Sequence, residues 1–171
     1  MRGTHLQEAH VASDRSLCEW QAVGLAEQAP ETGSYFVASV AQEPIVILRD
    51  DRGALIALSR VCRHRGYDML EGEGHSSSDL KKPCGRIKRL SCPYHAWTYN
   101  LQGQLIGAPV AEQIPGFNKS DVRLPRFPVA VRSGVVFVSL REDSLDLDAQ
   151  LAEQQIDLEQ LKTKYNLAKS S

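Results

Sequence analysis

The sequence predicts an all-β domain built from antiparallel hairpins and followed by a C-terminal helix. Short runs rich in β-branched and aromatic residues recur from Trp20 onward, and turn residues such as glycine separate them. Apolar residues adopt a helical spacing only near the end of the chain. The 171 residues, 42% hydrophobic and 24% charged, have the composition of an ordinary globular domain, which excludes disorder throughout.

Three hairpins follow from the spacing of the strand-like runs. Gly53, Gly103 and Gly134 each lie in a short polar segment between two apolar runs, where a tight turn favours glycine. A further strand is predicted over residues 35–40. The predicted hairpins pair residues 45–48 with 55–58, 97–99 with 104–106, and 127–132 with 135–140.

Three segments depart from the strand pattern. Residues 1–18 are polar and lack a clear period, so they are predicted to form a loose lead-in. Residues 70–89 are rich in Gly, Ser, Lys and Arg, which predicts an exposed loop. Residues 145–167 carry leucines at helical spacing, with acids early and lysines late, which predicts a helix. The predicted boundaries are a lead-in over 1–19, a β domain over 20–141 and a helical tail over 142–171.

The charge and hydropathy patterns exclude several classes of function. Twenty basic and twenty-one acidic residues leave a formal charge of −1, which gives no general attraction to nucleic acid or an anionic membrane. The longest apolar runs, such as 45–48 and 135–138, are far shorter than the roughly 18 residues of a membrane span. The N-terminus lacks the apolar segment of a secretory signal, so we expect a cytoplasmic location.

Two short motifs have the composition of a metal site. Cys62-x-His64 and Cys92-x-x-His95 each offer one sulfur and one imidazole nitrogen, and 27 residues separate the motifs. One tetrahedral zinc ion could use all four ligands, and so could a [2Fe–2S] cluster with the cysteines on one iron and the histidines on the other. Structural zinc sites more often use C-x2–4-C pairs, so the mixed pairs favour the cluster.

The residues around these ligands resemble the two cluster-binding boxes of Rieske non-haem iron oxygenases. Residues 62–66 read C-R-H-R-G and residues 92–97 read C-P-Y-H-A-W, with Ala96 where the family usually has glycine. The resemblance covers residues 20–141 and is closest to the ring-hydroxylating and choline-monooxygenase-like branch of α subunits. It implies the Rieske iron–sulfur fold, in which antiparallel sheets carry a small cluster-binding subdomain.

The resemblance implies a Rieske-type [2Fe–2S] cofactor and a role for each ligand. Cys62 and Cys92 would bind the inner iron as thiolates, whereas His64 and His95 would bind the outer iron near the surface. Neutral imidazoles in place of two thiolates raise the reduction potential relative to an all-cysteine cluster.

A second family comparison bears on the size of that potential. Respiratory and photosynthetic Rieske proteins carry an extra disulfide-bonded cysteine in each box and a hydroxyl group hydrogen-bonded to the cluster. The corresponding positions here hold Tyr67, Tyr94 and Trp97. We therefore expect a potential at the low end of the range of roughly −150 to +300 mV.

The same resemblance implies the function of an oxygenase α subunit's N-terminal domain. Such a domain relays electrons from a reductase or ferredoxin to a mononuclear non-haem iron in a catalytic domain, within a homotrimer. The ligand pattern of that iron, D-x2-H-x4-H, does not occur: His5 and His10 have the x4 spacing, but Arg2 stands where a carboxylate is needed. Residues 142–171 would then begin the catalytic domain, and the chain by itself would transfer electrons without activating oxygen.

Two other functions remain open on the sequence. The chain could be a stand-alone Rieske ferredoxin or split-gene component, or a zinc-binding interaction module. An open reading frame beyond Ser171 that encodes D-x2-H-x4-H would favour the oxygenase, whereas a natural stop codon would favour the ferredoxin. A colourless, zinc-containing protein without acid-labile sulfide would select the third function.

The remaining candidate residues are assigned to ordinary structural roles. We expect Cys84 to be a free thiol, Cys18 to pack near Trp20, and His75 to be solvated. Residues 63–89 carry seven basic and four acidic side chains, a local charge of +3. This charge predicts either a solvated loop or a docking surface for an acidic redox partner.

Overall fold

The computed structural model describes residues 19–70 and 84–169, with side chains through residue 166. Within these ranges the chain forms antiparallel β-sheets, and two helices follow at the C-terminal end. The strands are β1 (Gln21–Leu25), β2 (Ser34–Val40), β3 (Glu43–Arg49), β4 (Leu55–Ser59), β5 (Cys84–Arg86), β6 (Leu90–Ser91), β7 (Thr98–Tyr99), β8 (Leu105–Gly107), β9 (Arg126–Phe127), β10 (Val129–Arg132) and β11 (Val135–Val138). The helices are α1 (Leu147–Glu153) and α2 (Leu158–Lys169).

The described strands form three sheets. A five-stranded sheet has the order β5-β2-β3-β4-β9, and a three-stranded sheet has the order β1-β11-β10. The third sheet, β6-β7-β8, is small and belongs to the predicted cluster-binding subdomain. All three predicted hairpins are confirmed, since β3 pairs with β4, β7 with β8, and β10 with β11 in antiparallel register.

Strand β3 explains why the run Ile45–Leu48 has no polar alternation. Successive side chains of a strand point to opposite faces of its sheet. Val46 and Leu48 pack into the core beneath the motif cysteines, whereas Ile45 and Ile47 pack against β11 through Val136 and Val138. A strand buried on both faces is apolar throughout, because each face lies against another layer.

The predicted exposed loop over 70–89 is partly wrong. Met69 and Leu70 are buried, and residues Cys84–Arg86 form the edge strand β5, which pairs with β2. The Ile87 N–H extends this pairing by donating to the Gly33 carbonyl at 2.8 Å. Polar and basic residues are common on edge strands, where one face meets solvent, and this composition resembles that of a loop. Lys88 and Arg89 are exposed and lie outside any strand, as predicted, and residues 71–83 lie outside the described residues.

The predicted helix over 145–167 is two helices. Gln155 has a left-handed backbone with φ of +50°, which ends α1. The Asp157 carboxylate then accepts hydrogen bonds from the N–H groups of Glu159 and Gln160 and so caps α2. The leucine spacing continues through the break, so periodicity alone suggested one helix.

Both helices pack on the β1-β11-β10 sheet. Leu147 is buried against Phe137, and the Tyr165 hydroxyl donates to the Ala22 carbonyl at 2.6 Å. The Gln150 side chain hydrogen-bonds both the N–H and the carbonyl of Trp20, at 2.8 and 2.9 Å. None of the helices in the described ranges is both long and apolar enough to span a membrane.

Candidate metal centre

Two loops with the same backbone scheme carry the motif residues. Loop 1 (62–67) follows β4, and loop 2 (92–97) connects β6 to β7. In loop 1 the Cys62 N–H donates to the Tyr67 carbonyl at 2.8 Å, and in loop 2 the Cys92 N–H donates to the Trp97 carbonyl at the same distance. Each loop therefore returns to its own starting cysteine, which places the motif histidine at the turn.

A residue with left-handed backbone closes each loop. Gly66 has φ of +72° and Ala96 has φ of +58°, and their N–H groups donate to the carbonyls of Cys62 and Cys92 at 3.0 and 2.9 Å. Glycine adopts positive φ without strain, whereas alanine does so at a cost. The structure thus shows that Ala96 occupies a position where the backbone favours glycine.

The two thiols lie together at the base of the loops. Cys62 and Cys92 are only 2% and 3% exposed and belong to the same buried cluster. Burial raises the pKa of the Cys92 thiol, although the backbone N–H groups of Tyr94 and His95 partly offset this effect. The same N–H groups would stabilise a metal-bound thiolate at this position.

The two imidazoles lie together nearer the surface. The His64 and His95 rings meet edge to face with centroids 4.7 Å apart. His95 is exposed and His64 is half-buried. Burial, followed by the charges of His95 and Arg65, lowers the pKa of His64, which favours the neutral imidazole that binds metals.

The structure thus brings all four predicted site residues together, as a buried thiol pair and a surface imidazole pair. Within residues 19–70 and 84–169, no three His, Cys, Asp or Glu side chains converge on a single ion position. One tetrahedral zinc ion would need all four side chains to converge on it, whereas a [2Fe–2S] cluster needs one pair of donors at each iron. The separate sulfur and nitrogen pairs agree with the donors of such a cluster in type and in burial.

Aromatic side chains of loop 2 pack on both motif histidines. The buried Trp97 ring stacks on His64, with centroids 4.8 Å apart and planes 11° apart, and it also contacts Phe117. Tyr94 packs on His95 in its own loop, with centroids 4.1 Å apart, but remains largely exposed. Trp97 therefore shields the site, whereas Tyr94 covers it only on the solvent side.

Tyr99 is a site residue that the sequence analysis missed. Its buried hydroxyl lies 3.5 Å from the Cys62 sulfur and accepts a hydrogen bond from the Arg63 N–H at 3.1 Å. Burial, and then the hydrogen bond to Cys62, raises the pKa of the Tyr99 phenol, so it stays protonated and can donate to a thiolate. Tyr99 lies outside the three positions, Tyr67, Tyr94 and Trp97, that correspond to the extra cysteines and the hydroxyl residue of the respiratory Rieske proteins. The available signal was strand alternation, since Trp97 and Tyr99 are two residues apart and share the buried face.

The other candidates lie away from this pair of loops or outside the described residues. Cys84 is an exposed free thiol on the edge strand β5, as expected. Cys18, His75, His5 and His10 are not among the described residues.

A family model for the Rieske [2Fe–2S] domain matches residues 19–118, more than half of the chain. The chain belongs to this family. The family implies a Rieske-type [2Fe–2S] cluster, and the paired cysteines and histidines of the Rieske domain fit that group by position, burial and donor type.

Relatives place this Rieske domain among oxygenase α subunits. The chain is 31% identical over 134 residues to the glycine betaine monooxygenase oxygenase subunit of Pseudomonas aeruginosa, covering 78% of this chain and 29% of that protein. It is 33% identical over 132 residues to the chloroplastic choline monooxygenase of Beta vulgaris, covering 77% of this chain and 27% of that protein. The chain therefore spans less than a third of the length of these relatives.

Solved structures agree with this placement. Naphthalene 1,2-dioxygenase from Rhodococcus sp. superposes with a TM-score of 0.68 at 26% identity, over 82% of this chain and 31% of that chain. A quaternary ammonium Rieske monooxygenase superposes with a TM-score of 0.66 at 28% identity, over 80% of this chain and 36% of that chain. The antiparallel fold is thus that of the Rieske oxygenases.

Proposed function

We propose that Cys62, His64, Cys92 and His95 hold the cluster of this Rieske domain. The pairing of two buried thiols beneath two surface imidazoles carries the proposal, because a Rieske cluster needs its sulfur and nitrogen donors on different irons. When bound, the cluster would supply one-electron redox chemistry. The thiol pair would anchor it in the core, and the imidazole pair would bring its outer iron close to solvent.

We further propose that the domain relays electrons within an oxygenase. The donor would be a reductase or ferredoxin, and the acceptor a mononuclear non-haem iron in a catalytic domain. The relatives are named as oxygenase subunits, and the description of one solved relative mentions electron transfer between subunits, which supports a relay between the subunits of the proposed homotrimer. The exposure of the His95 ring supports electron exchange at this end of the domain.

We also propose the division into a lead-in over 1–19, a Rieske domain over 20–141 and a tail over 142–171 that leads into the catalytic domain. The contacts of α1 and α2 with the β1-β11-β10 sheet add a structural role to the tail. It packs on the Rieske domain and covers one face of that sheet.

The ligand assignment is tested by cluster content. The full chain, produced with sufficient iron and sulfide, should contain equimolar iron and acid-labile sulfide and give an EPR signal after reduction by dithionite. Cys62→Ser and His95→Ala should each abolish cluster assembly, because a metal site with a missing ligand is lost together with the structure that it stabilises. Full iron and sulfide in either variant would contradict the ligand set.

Cys84→Ser is the matched control for the loss of a thiol. Cys84 is exposed and lies outside both loops, so its replacement should leave iron, sulfide and the EPR signal unchanged. Loss of the cluster in this variant would instead make Cys84 a ligand. A protein that binds zinc and no sulfide would overturn the redox function as a whole.

A further inference from the structure

An apolar groove runs beside the imidazole pair. It has a volume of about 360 Å³ and lies between loops 1 and 2 on one side and residues 109–114 on the other. Its lining includes His64, Arg65, His95, Trp97, Val110 and Ile114. The groove is therefore continuous with the proposed redox site, and both Val110 and Ile114 are exposed apolar residues on its rim.

Val110 combines a strained backbone conformation with an apolar side chain that is exposed to solvent. Its φ of +72° and ψ of −50° are close to those of the rare γ-turn with positive φ, which strains a β-branched residue. Its side chain is nevertheless 72% exposed, so no burial in the described residues offsets the strain. Strained residues of this kind cluster at functional sites.

Glu112 holds the strained turn in place. Its Oε1 accepts a hydrogen bond from the Ala108 N–H at 2.8 Å, and its own N–H donates to the Ala108 carbonyl at 3.1 Å. The Lys119 ammonium lies 3.6 Å from the same Oε1. The Ala108 N–H keeps the pKa of Glu112 below its usual value, so the carboxylate is ionised and makes the stronger, charge-assisted bond.

The charge at the groove is positive. Arg65 lines it, Arg63 of the same loop is exposed, and the Glu112 carboxylate in the opposite wall is paired with the Lys119 ammonium at 3.6 Å. A surface with apolar anchors and a basic edge is complementary to an apolar protein surface edged by carboxylates.

We propose that Val110 and Ile114 are the apolar anchors of a docking surface for an acidic redox protein, and that Glu112 preorganises this surface. The proposal rests on the proposed function, since docking here would bring the partner next to the imidazole pair. In the step itself, the reduced partner loses one electron and the oxidised cluster gains it, with no bond made or broken.

The test uses the cluster-loaded chain and a plant-type [2Fe–2S] ferredoxin with an acidic surface, reduced beforehand. Such ferredoxins have lower potentials than Rieske centres, so the electron passes to the Rieske domain. Val110→Gly removes the anchor and also relieves the strain. It should raise Tm yet lower the second-order rate constant about tenfold, because a few interface residues carry most of the binding energy and Val110 is one of the two proposed anchors. Ile106→Ala, an exposed apolar residue outside the groove, should leave the rate constant unchanged.

Two Glu112 variants separate positioning from charge. Glu112→Gln keeps an oxygen that can accept from Ala108, whereas Glu112→Ala removes it. We expect Glu112→Ala to lower the second-order rate constant nearly as much as Val110→Gly does. Glu112→Gln should leave it close to the parent value. Equal losses in both would overturn the positioning role. Added oxidised ferredoxin should also shift the amide NMR signals of residues 108–114, which reports docking without electron transfer.

The remaining outcomes separate the two proposals. If the chain takes up no cluster, or dithionite does not reduce it, the proposed function fails. If dithionite reduces the cluster but Val110→Gly and the parent react equally with ferredoxin, only the docking surface fails. A rate constant that does not fall as salt is raised would exclude an acidic partner. A dimer in the parent that Val110→Gly abolishes would assign the surface to a second copy of the chain.

Discussion

Loops 1 and 2 share a backbone but differ in how they are supported. Loop 2 stabilises its own thiolate, because the backbone N–H groups of Tyr94 and His95 lower the pKa of Cys92. Loop 1 depends on residues beyond itself: the Tyr99 hydroxyl contacts the Cys62 sulfur, and Trp97 stacks on His64. Loop 2 and its following strand therefore act as a template against which loop 1 is placed.

The bases of the two loops also differ, because side chains close loop 1 whereas paired strands close loop 2. An ion pair between Arg60 and Asp68, at 2.9 Å and largely buried, closes the base of loop 1. At the base of loop 2, the hydroxyl groups of Ser91 and Thr98 lie 3.4 Å apart on paired strands. Loop 1 lacks strands of this kind and has one isolated bridge, from Val61 to Asp68, so the ion pair stands where loop 2 has a β-ladder.

The largest predicted effect on stability is that of truncating Trp97 in loop 2. Trp97→Ala removes a side chain that is 7% exposed, together with the stack on His64, and should lower the free energy of unfolding by about 3–5 kcal/mol. Urea unfolding of the cluster-loaded variant, compared with the cluster-loaded parent, measures this loss. In the loaded protein, the spectrum should also change, because His64 loses the ring that orients it.

The equivalent position of loop 1 supplies the control for this prediction. Tyr67 is 37% exposed, so Tyr67→Ala should cost less than about 1 kcal/mol. Similar losses at Trp97 and Tyr67 would mean that the loops support each other equally. The template role of loop 2 would then be wrong.

Removal of the Tyr99 hydroxyl should have a smaller effect, mainly on the reduction potential. A hydrogen bond to a metal-bound sulfur favours the reduced, more negative state of the cluster. If the bond is about 1 kcal/mol stronger in that state, Tyr99→Phe should lower the potential by about 40 mV, which protein-film voltammetry resolves. Tyr99 also revises the sequence-based expectation, since the low potential was inferred from missing hydroxyl donors and Tyr99 provides one.

Tyr94→Phe is the matched control for the loss of a phenol. The Tyr94 ring packs on His95, and its side chain is largely exposed, so the potential should stay within a few millivolts of the parent value. An equal drop in both variants would attribute the effect to general polarity. The hydrogen bond between Tyr99 and Cys62 would then not explain the change in reduction potential.

The sequence predicted the four motif residues and the hairpins more completely than the long-range contacts that hold them in place. Cys62, His64, Cys92 and His95 could be found because each pair is only two or three residues apart, and the hairpins because turn glycines punctuate apolar runs. The contact between Tyr99 and Cys62 spans 37 residues, and no local pattern encodes it. The break at Gln155 was missed for a related reason, since capping by Asp157 interrupts the backbone without interrupting the leucine spacing.

The smallest predicted effect is that of exchanging alanine and glycine at the positions that close the two loops. Ala96 has positive φ, a conformation that costs a non-glycine residue roughly 1–2 kcal/mol, whereas glycine loses part of that advantage through its more flexible unfolded chain. Ala96→Gly should therefore stabilise the protein by about 0.5 kcal/mol in urea unfolding.

Gly66→Ala should change stability in the opposite direction by a similar or somewhat larger amount. A Cβ at Gly66 would meet no atom within 4 Å, so backbone strain alone would act there. Opposite signs in the two variants would show that loops 1 and 2 impose the same backbone on different residues. If Ala96→Gly were destabilising instead, the Ala96 methyl group would contribute to loop 2 in a way that loop 1 does not need, and the asymmetry between the loops would extend to their backbones.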